Sequence, residues 1–267
     1  MNVGLIGYGT IGQTLADAIR SGNAGDVTLV AVLDVFDASP FGGAPGDPIY
    51  TTGIAEFLAQ DTDLVIEAAS QTVLRKVARP VLVSGKYLMA MSVGAFANVE
   101  YLEEMRALAL QHGRRIYLPS GAIGGLDALS AAAIDEIDEV VLTTAKPPGG
   151  LQSVDLQSDV DLVSIQEPTC VYEGSAFEAV QLFPKNVNVA AALSLAGIGE
   201  HKTRVRIVAD PSATRNTHRV EARSRFGELT LELRLHPSPT NPRTSYLAAL
   251  SAVRTLKNLT DPIRIGG

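Results

Sequence analysis

VGLIGYGTIG, residues 3–12, places a short apolar run directly before three glycines in the G-x-G-x-x-G spacing. In a dinucleotide-binding turn, Gly7 would permit the tight bend, Gly9 the approach of the backbone to a pyrophosphate, and Gly12 close packing of helix on strand. The helix predicted over residues 11–21 would direct its N-terminal amides and positive dipole end at the phosphates. The predicted cofactor-binding residues of this loop are Gly7, Gly9, Thr10, Ile11 and Gly12.

The residues after the loop favour the same interpretation. Residues 27–33 are apolar and predict a second strand, which ends at Asp34, about 20 residues beyond Gly12. An acidic residue there accepts hydrogen bonds from the adenosine ribose and repels a 2′-phosphate, so we predict NAD as the cofactor, with NADP as the alternative. Asp37 is a weaker candidate for the ribose contact. Glycine triplets also occur in turns that bind nothing, but the strand–loop–helix–strand context argues against that explanation.

The first half of the chain alternates apolar runs with segments of helical periodicity. Apolar runs without alternation are typical of strands buried on both faces, and strands that alternate with helices predict a parallel sheet. We therefore predict a Rossmann doubly wound sheet. Predicted strands lie at residues 3–6, 27–33, 64–69, 87–91 and 115–118, and predicted helices at 11–21, 54–59, 73–84 and 99–112.

The pattern changes near residue 120, where strands with alternating or β-branched residues predict a second α+β domain with a mainly antiparallel sheet. The predicted domains are 1–120, completed by a C-terminal helix within 240–267, and a substrate and dimerisation domain over 121–239. The predicted strands are 139–146, 203–209, 218–224 and 229–235. The predicted helices are 126–137, 177–182, 187–197 and 245–258. Prolines indicate that 236–243 is a connection.

Composition limits the classes of function. The formal net charge of -7 provides no positive surface for nucleic acid or for anionic membranes. No apolar stretch is long enough for a membrane span, and the residues after Met1 do not resemble a signal peptide. The single cysteine, Cys170, has no partner for a disulfide or a thiolate metal cluster. We expect a cytoplasmic enzyme that binds no metal.

Two further loops are expected at the carboxyl edge of the predicted parallel sheet, where ligands of doubly wound sheets lie. One is Glu67–Gln71, which contributes Ala69 and Ser70 as predicted cofactor-binding residues, and the other is Ser92–Ala95. For both loops, an ordinary strand-to-helix turn explains the sequence equally well.

Several segments together resemble the L-aspartate dehydrogenase family. The glycine spacing is common to many dehydrogenases, whereas the Ser-Gly-Ala-Ile-Gly-Gly loop and the Phe-Pro-Lys-Asn segment are far more specific. The resemblance extends over nearly the whole chain. The matching segments are Gly7–Gly12, Glu67–Gln71, Ser92–Ala95, Ser120–Ala128, Lys146–Pro148, Phe183–Val189 and Asn216–His218.

The resemblance implies an enzyme that oxidises L-aspartate with NAD or NADP to iminoaspartate, which hydrolyses to oxaloacetate and ammonia or enters NAD biosynthesis. It also implies a Rossmann domain joined to an α/β domain, and a homodimer. The active-site histidine of the family corresponds to His218. Its NAD-contacting alanine and asparagine correspond to Ala122 and Asn188.

The chemistry of amine oxidation fits a histidine, because the substrate ammonium must lose a proton before hydride leaves the α-carbon. An unperturbed imidazole, with a pKa of about 6.5, suits that task without heavy tuning. Structural explanations suffice for His112 after a helix, His201 in a charged turn and His236 before prolines. From the residues alone, His218 could also be a structural histidine of a strand. With the resemblance, His218 is the predicted general base, for the amine and later for the attacking water.

A substrate with two carboxylates requires cations or clustered donors. Lys185, which precedes Asn186 at the start of a predicted helix, is the preferred candidate, and both are predicted to bind substrate. A solvated lysine at a helix entry explains Lys185 equally well. Lys146, followed by two prolines, is a weaker candidate.

Two alternatives remain open at this level. The first is a related Rossmann dehydrogenase for another small substrate, such as homoserine, diaminopimelate or dihydrodipicolinate. The second is a non-catalytic NAD-binding sensor, which would bind NADH without turnover and would have no need for a proton acceptor.

Overall fold

The computed structural model describes residues 1–36, 39–151, 162–183, 187–239 and 241–265. The chain divides into two compact units. The first unit comprises Met1–Gly121 and Ala248–Gly267, and the second comprises Ala122–Leu247. The second unit therefore reaches past residue 239, where the sequence indicated its end.

The first unit contains a six-stranded sheet in the order β3-β2-β1-β4-β5-β6, in which every pair of neighbours is parallel. The predicted doubly wound parallel sheet is confirmed. The strands are β1 (Asn2–Ile6), β2 (Thr28–Leu33), β3 (Ile49–Thr51), β4 (Leu64–Glu67), β5 (Tyr87–Ala90) and β6 (Ile116–Tyr117).

Helices connect four of the five consecutive strand pairs, because parallel strands need a crossover connection. Among the described residues between β2 and β3 there is no helix. Ser70 accepts a hydrogen bond from the Val73 amide at 3.2 Å, and Asn98 accepts one from the Tyr101 amide at 2.8 Å, so both residues cap helices. The helices are α1 (Thr10–Arg20), α2 (Ile54–Leu58), α3 (Gln71–Val83) and α4 (Val99–Gln111), and a 3₁₀ helix covers Val93–Ala97.

The second unit contains a five-stranded mixed sheet in the order β11-β10-β7-β9-β8. Its neighbours are antiparallel except β7 and β9, which are parallel. A separate two-stranded sheet pairs β12 with β13. The strands are β7 (Ile137–Lys146), β8 (Thr169–Ser175), β9 (Arg204–Ala209), β10 (Asn216–Ser224), β11 (Gly227–Leu235), β12 (Pro237–Ser238) and β13 (Asn241–Ser245). The helices are α5 (Leu126–Ala132), α6 (Ala176–Leu182) and α7 (Val187–Ala196), and a 3₁₀ turn covers Pro148–Gly150.

The two faces of the five-stranded sheet differ in chemistry, because side chains alternate along each strand. One face carries buried side chains such as Leu142, Val205 and Val220. The opposite face carries ion pairs, including Arg223 with Glu139 at 2.6 Å. Chemistry that needs a site shielded from water therefore belongs to the apolar face.

The last helix, α8 (Tyr246–Thr260), returns the chain to the first unit. Its Ala252 and Leu256 are fully buried in one core cluster with Leu5 and Leu15. Within the described residues, no helix combines the length and apolar character that a membrane span requires.

Four differences from the sequence predictions have local causes. The strand β3 was not predicted, because its three residues are too few to show a strand pattern. The helix predicted over 126–137 ends at Ala132, because Ile137 already begins β7. The strand β8 was not predicted, since its residues are mixed in polarity and do not alternate cleanly. The proline-rich connection contains β12 and β13, in which Pro237 occupies the first position of a short strand, where a proline is tolerated.

Candidate functional site

The loop after β1 requires glycine at two positions. Gly7 has φ +93°, and a Cβ there would lie 2.9 Å from the Ala68 carbonyl and from the Ala69 Cβ. A Cβ at Gly12 would overlap the carbonyl oxygen of Gly7. These two glycines therefore hold the tight turn and the close packing of α1 on β1.

Gly9 has a different role, because a Cβ there would meet no atom within 4 Å. Gly9 is the N-cap of α1, where no side chain caps the amides and the first turn holds no acidic residue. The first amides of a helix have no intrahelical acceptor, and Thr10 and Ile11 supply two of them here. Uncapped amides, open space and the positive end of the helix dipole fit the pyrophosphate of a dinucleotide.

Asp34, directly after β2, is tied to the same loop. Its Oδ2 accepts a hydrogen bond from the Tyr8 amide, and its Oδ1 accepts one from the Val35 amide at 2.6 Å. Each carboxylate oxygen has a second lone pair, which leaves Asp34 able to accept bonds from ribose hydroxyls. Asp37, the weaker candidate, lies outside the described residues.

Glu67 joins the two further loops of the parallel edge. It is fully buried at the end of β4, where its Oε1 accepts from the Ala69 amide at 2.8 Å. The hydroxyl of Ser92 donates to Oε1 at 2.8 Å and its amide to Oε2 at 3.1 Å. Burial raises the pKa of Glu67, and these hydrogen bonds oppose the rise. Ala69 and Ser70, the predicted cofactor residues, are exposed on one of the loops that this carboxylate holds.

In the second unit, His218 lies on β10 directly opposite Thr144 of β7. The imidazole is 5% exposed, and its Nδ1 lies 3.0 Å from the Thr144 hydroxyl. When Nδ1 carries the proton, it donates to Thr144 Oγ1 and leaves Nε2 with a free lone pair. That tautomer is the one a general base requires.

The electrostatics of His218 differ from the expectation of an untuned imidazole. Burial, reinforced by the positive charge of Lys146, lowers the pKa of His218 to about 4. The ring is uncharged at neutral pH, which is the form that accepts a proton.

Lys146, at the end of β7, extends this cluster. Burial lowers its pKa to about 8. Its side chain and that of Thr144 contribute the polar groups of a cavity whose other walls are apolar. The cavity is lined by Leu142, Thr144, Lys146, Ala179, Phe183, Ala190, Val205 and Ile207.

The other three histidines lie elsewhere. His112 is the C-cap of α4, which agrees with its structural explanation. His201 is exposed, 3.7 Å from Glu200 and against the ring of Phe177. The remaining one, His236, is exposed before β12. None of the three shares the enclosed setting of His218.

The structure describes two of the four remaining predicted site residues. Ala122 is half-buried at the start of the second unit, and Asn188 is exposed in the first turn of α7. Lys185 and Asn186 lie outside the described residues. The structure thus groups Asp34 with the glycine loop in one unit, and His218 with Thr144 and Lys146 in the other.

Sequence reasoning did not identify Thr144 or the carboxylate of Glu67 as parts of the site. Thr144 stands two residues before Lys146 in a predicted strand, which placed it on the same face but left its strand partner unknown. An acidic residue that ends an apolar strand, as Glu67 does, was an available signal.

Comparison with known proteins agrees with these units. Residues 7–119 match the family model "Homoserine dehydrogenase, NAD binding domain", and residues 127–259 match "Aspartate dehydrogenase, C-terminal". The chain is 42% identical to an L-aspartate dehydrogenase of Methanosarcina mazei, over 100% of this chain and 99% of that protein. It is 43% identical to one of Methanocella arvoryzae, over 99% and 98% of the two chains. The crystal structure of aspartate dehydrogenase from Thermotoga maritima matches with a TM-score of 0.77 and 30% identity, covering 100% of this chain and 99% of that one.

Proposed function

The chain belongs to the L-aspartate dehydrogenase family, and on that premise we propose that it oxidises L-aspartate to iminoaspartate with a pyridine nucleotide. The observation that carries the proposal is the buried, uncharged imidazole of His218, bonded to Thr144 in the unit that matches the aspartate dehydrogenase model. A fold that only bound nucleotide would have no need for a proton acceptor enclosed in this way.

The first unit is proposed to hold the cofactor. The amides that begin α1 bind the pyrophosphate, and Asp34 accepts bonds from the adenosine ribose. An Asp34 carboxylate repels a 2′-phosphate, so NAD is the proposed cofactor in preference to NADP. When bound, the nicotinamide supplies the acceptor for the hydride that leaves the α-carbon. Ala122, through its backbone, and Asn188 are proposed as further nucleotide contacts.

His218 is proposed to move the protons of the reaction. Its Nε2 accepts a proton from the substrate ammonium, so that the nitrogen lone pair can form the C=N bond as hydride departs. After iminoaspartate forms, Nε2 releases that proton to solvent and can then take one from the water that attacks the imine carbon. The same proton passes to the departing nitrogen, which leads to oxaloacetate and ammonia. Thr144 orients the ring through Nδ1, and Nε2 is available as a base when Nδ1 is the donor of that hydrogen bond.

The low pKa of His218 also affects the step of the reaction at which the imidazole can act as a base. An imidazole with a pKa of about 4 is a weak base for an ammonium ion. The carboxylates of a bound substrate offset the charge of Lys146, and neighbouring negative charge raises the pKa of a histidine. We therefore propose that substrate binding raises the pKa of His218 by removing the effect of Lys146, while burial, the larger cause of the low pKa, persists.

Several finer points are proposals on the same basis. The second unit is proposed to bind the substrate, with Lys185 and Asn186 among its contacts, and to form a homodimer, which size-exclusion chromatography with light scattering tests. A cytoplasmic location and a contribution to NAD biosynthesis are proposed from the sequence and the family resemblance.

The test of the proposed function is an assay of NADH formation from L-aspartate, D-aspartate, L-glutamate and L-homoserine, each with NAD and with NADP. We expect turnover chiefly with L-aspartate and NAD. Turnover with L-homoserine instead would favour the related-dehydrogenase alternative. Tight NADH binding without turnover of any amino acid would favour the sensor.

A further inference from the structure

Two polar residues of β7 share the sheet face that carries His218. Thr144 and Lys146 are two residues apart on one strand, so their side chains project to the same side. Thr144 is directly opposite His218, which makes Lys146 a diagonal neighbour of the imidazole. The positive charge of Lys146 acts on His218.

The surroundings of Lys146 suit a charged ligand. Thr144 and Lys146 line the same cavity, and its remaining walls, such as Phe183 and Ala190, are apolar. Among apolar walls a carboxylate and an ammonium attract each other more strongly than they do in water. The open space is only about that of one water molecule. A substrate carboxylate that reaches Lys146 at the edge of these apolar walls would therefore be attracted to its ammonium group.

The arginines of the same sheet are committed to the opposite face. Arg206 pairs with Glu173 at 3.1 Å, Arg219 with Glu221 at 2.9 Å, and Arg223 with Glu139 at 2.6 Å. Within the described residues of this sheet, Lys146 is thus the cation on the face that carries the imidazole.

We infer that the Lys146 ammonium binds a carboxylate of the substrate and so sets the α-amine beside His218. This inference rests on the proposed function, because it takes a dicarboxylic amino acid as the substrate. It adds a specificity residue to that function. It also explains the positive charge beside the imidazole, because the carboxylate of the bound substrate neutralises that charge when His218 must accept a proton.

The experiment compares wild type with Lys146→Met, Lys146→Gln and Lys146→Arg. Lys202→Met, a change at an exposed lysine of the same unit, is the matched control. Loss of a charge-assisted hydrogen bond predicts that kcat/KM for L-aspartate falls about 10- to 100-fold in the Met and Gln variants. The Arg variant should recover part of the loss, and Lys202→Met should equal wild type. NADH affinity, measured by its fluorescence, should stay unchanged in all of them.

Two further readouts sharpen the result. The inhibition constant of succinate, a dicarboxylate without an amine, should rise in Lys146→Met in parallel with KM. L-Asparagine distinguishes the two carboxylates: if its kcat/KM also falls, Lys146 binds the α-carboxylate, and if only that of L-aspartate falls, Lys146 binds the β-carboxylate. Either pattern supports the inference.

The inference and the proposed function fail in different ways. If wild type oxidises L-aspartate while Lys146→Met and Lys146→Gln keep the wild-type KM and succinate inhibition, the inference is overturned and the function stands. If wild type does not oxidise L-aspartate, the function fails, and calorimetry of succinate binding to the NADH complex still tests Lys146. Circular dichroism establishes which variants fold. If Lys146→Met does not fold, the comparison of Lys146→Gln with Lys146→Arg tests the inference.

Discussion

Thr144 and His218 face each other across β7 and β10, with the threonine hydroxyl 3.0 Å from the imidazole Nδ1. A ring held at Nδ1 keeps Nε2 aimed in one direction. We expect Thr144→Val, which keeps the shape but removes the hydroxyl, to lower kcat about fivefold to tenfold, the equivalent of about one hydrogen bond. KM for L-aspartate should change little. Thr144→Ser, which keeps the hydroxyl, is the control, and an equal loss in both variants would show that packing and not the hydrogen bond matters.

His218 itself should be essential for turnover. His218→Asn removes the proton acceptor, and we expect kcat to fall roughly 10²- to 10⁴-fold, the range of general acid–base catalysis. His201→Ala, at an exposed histidine of the same unit, should retain wild-type kcat. Steady-state rates with saturating NAD measure both variants. Near-normal turnover of His218→Asn would remove the assignment of the general base.

The glycine loop allows binding and folding to be separated. Gly9→Ala places a methyl group in open space at an ordinary φ of -78°, so the melting temperature should stay close to that of wild type. Because that methyl lies where the pyrophosphate approaches, we expect NAD to bind about tenfold more weakly. Gly12→Ala should instead destabilise the fold, by about 1–3 kcal/mol, since its Cβ overlaps the Gly7 carbonyl.

Circular dichroism melting and calorimetric titration with NAD measure the two effects. The chain has no tryptophan, so NADH fluorescence provides an independent binding signal with little protein background. Unchanged NAD affinity in Gly9→Ala would place the pyrophosphate elsewhere.

Asp34 should decide between the two nucleotides. Asp34→Ala removes the ribose acceptor and the charge that repels a 2′-phosphate, so we expect the dissociation constant of NAD to rise about tenfold. That of NADP should stay constant or fall. Asp17→Ala, at an exposed aspartate of α1, is the control. Equal losses for NAD and NADP would indicate that Asp34 acts only by holding the Tyr8 and Val35 amides.

The lowered pKa of His218 predicts a dependence of stability on pH. The unfolded chain binds a proton at His218 below about pH 6.5, whereas the folded chain does so only near pH 4. The unfolded state therefore binds more protons between these values, and the free energy of unfolding falls as pH falls through this window. The full contribution is about 3 kcal/mol.

Urea unfolding of wild type and His218→Asn at pH 7.5 and pH 4.5, followed by circular dichroism, measures this contribution. The variant has no group to titrate at this position, so its stability should decline less between the two pH values. An identical decline in both proteins would mean that burial does not suppress protonation of His218.

The sequence sufficed to predict those parts of the proposed nucleotide site whose residues lie close together in the chain. The glycine spacing, the strand before it and the acidic residue after the next strand all lie within the first 34 residues. Local rules connect such residues: a glycine is needed where φ is positive or where a Cβ would collide, as at Gly7 and Gly12. The parallel sheet followed from the same kind of reasoning, since apolar strands that alternate with helices have few other arrangements.

Groups separated by long stretches of chain could not be paired in this way. Thr144 and His218 are 74 residues apart, and Glu67 and Ser92 are 25 apart. Their contacts depend on strand order and register, which side-chain alternation alone does not define. The resemblance singled out His218, but neither it nor the spacing indicated which hydroxyl orients the ring.

By itself the amino-acid sequence determined the glycine loop and the class of fold, because periodicity and glycine placement act over short distances. The histidine at issue came from the family resemblance. Only the tertiary structure decided the pKa and the neighbours of that histidine. Burial lowers the pKa of His218, and β7 brings Thr144 and Lys146 beside it. Desolvation and Coulomb interactions depend on distances through space, and those distances exist only once the strands have paired.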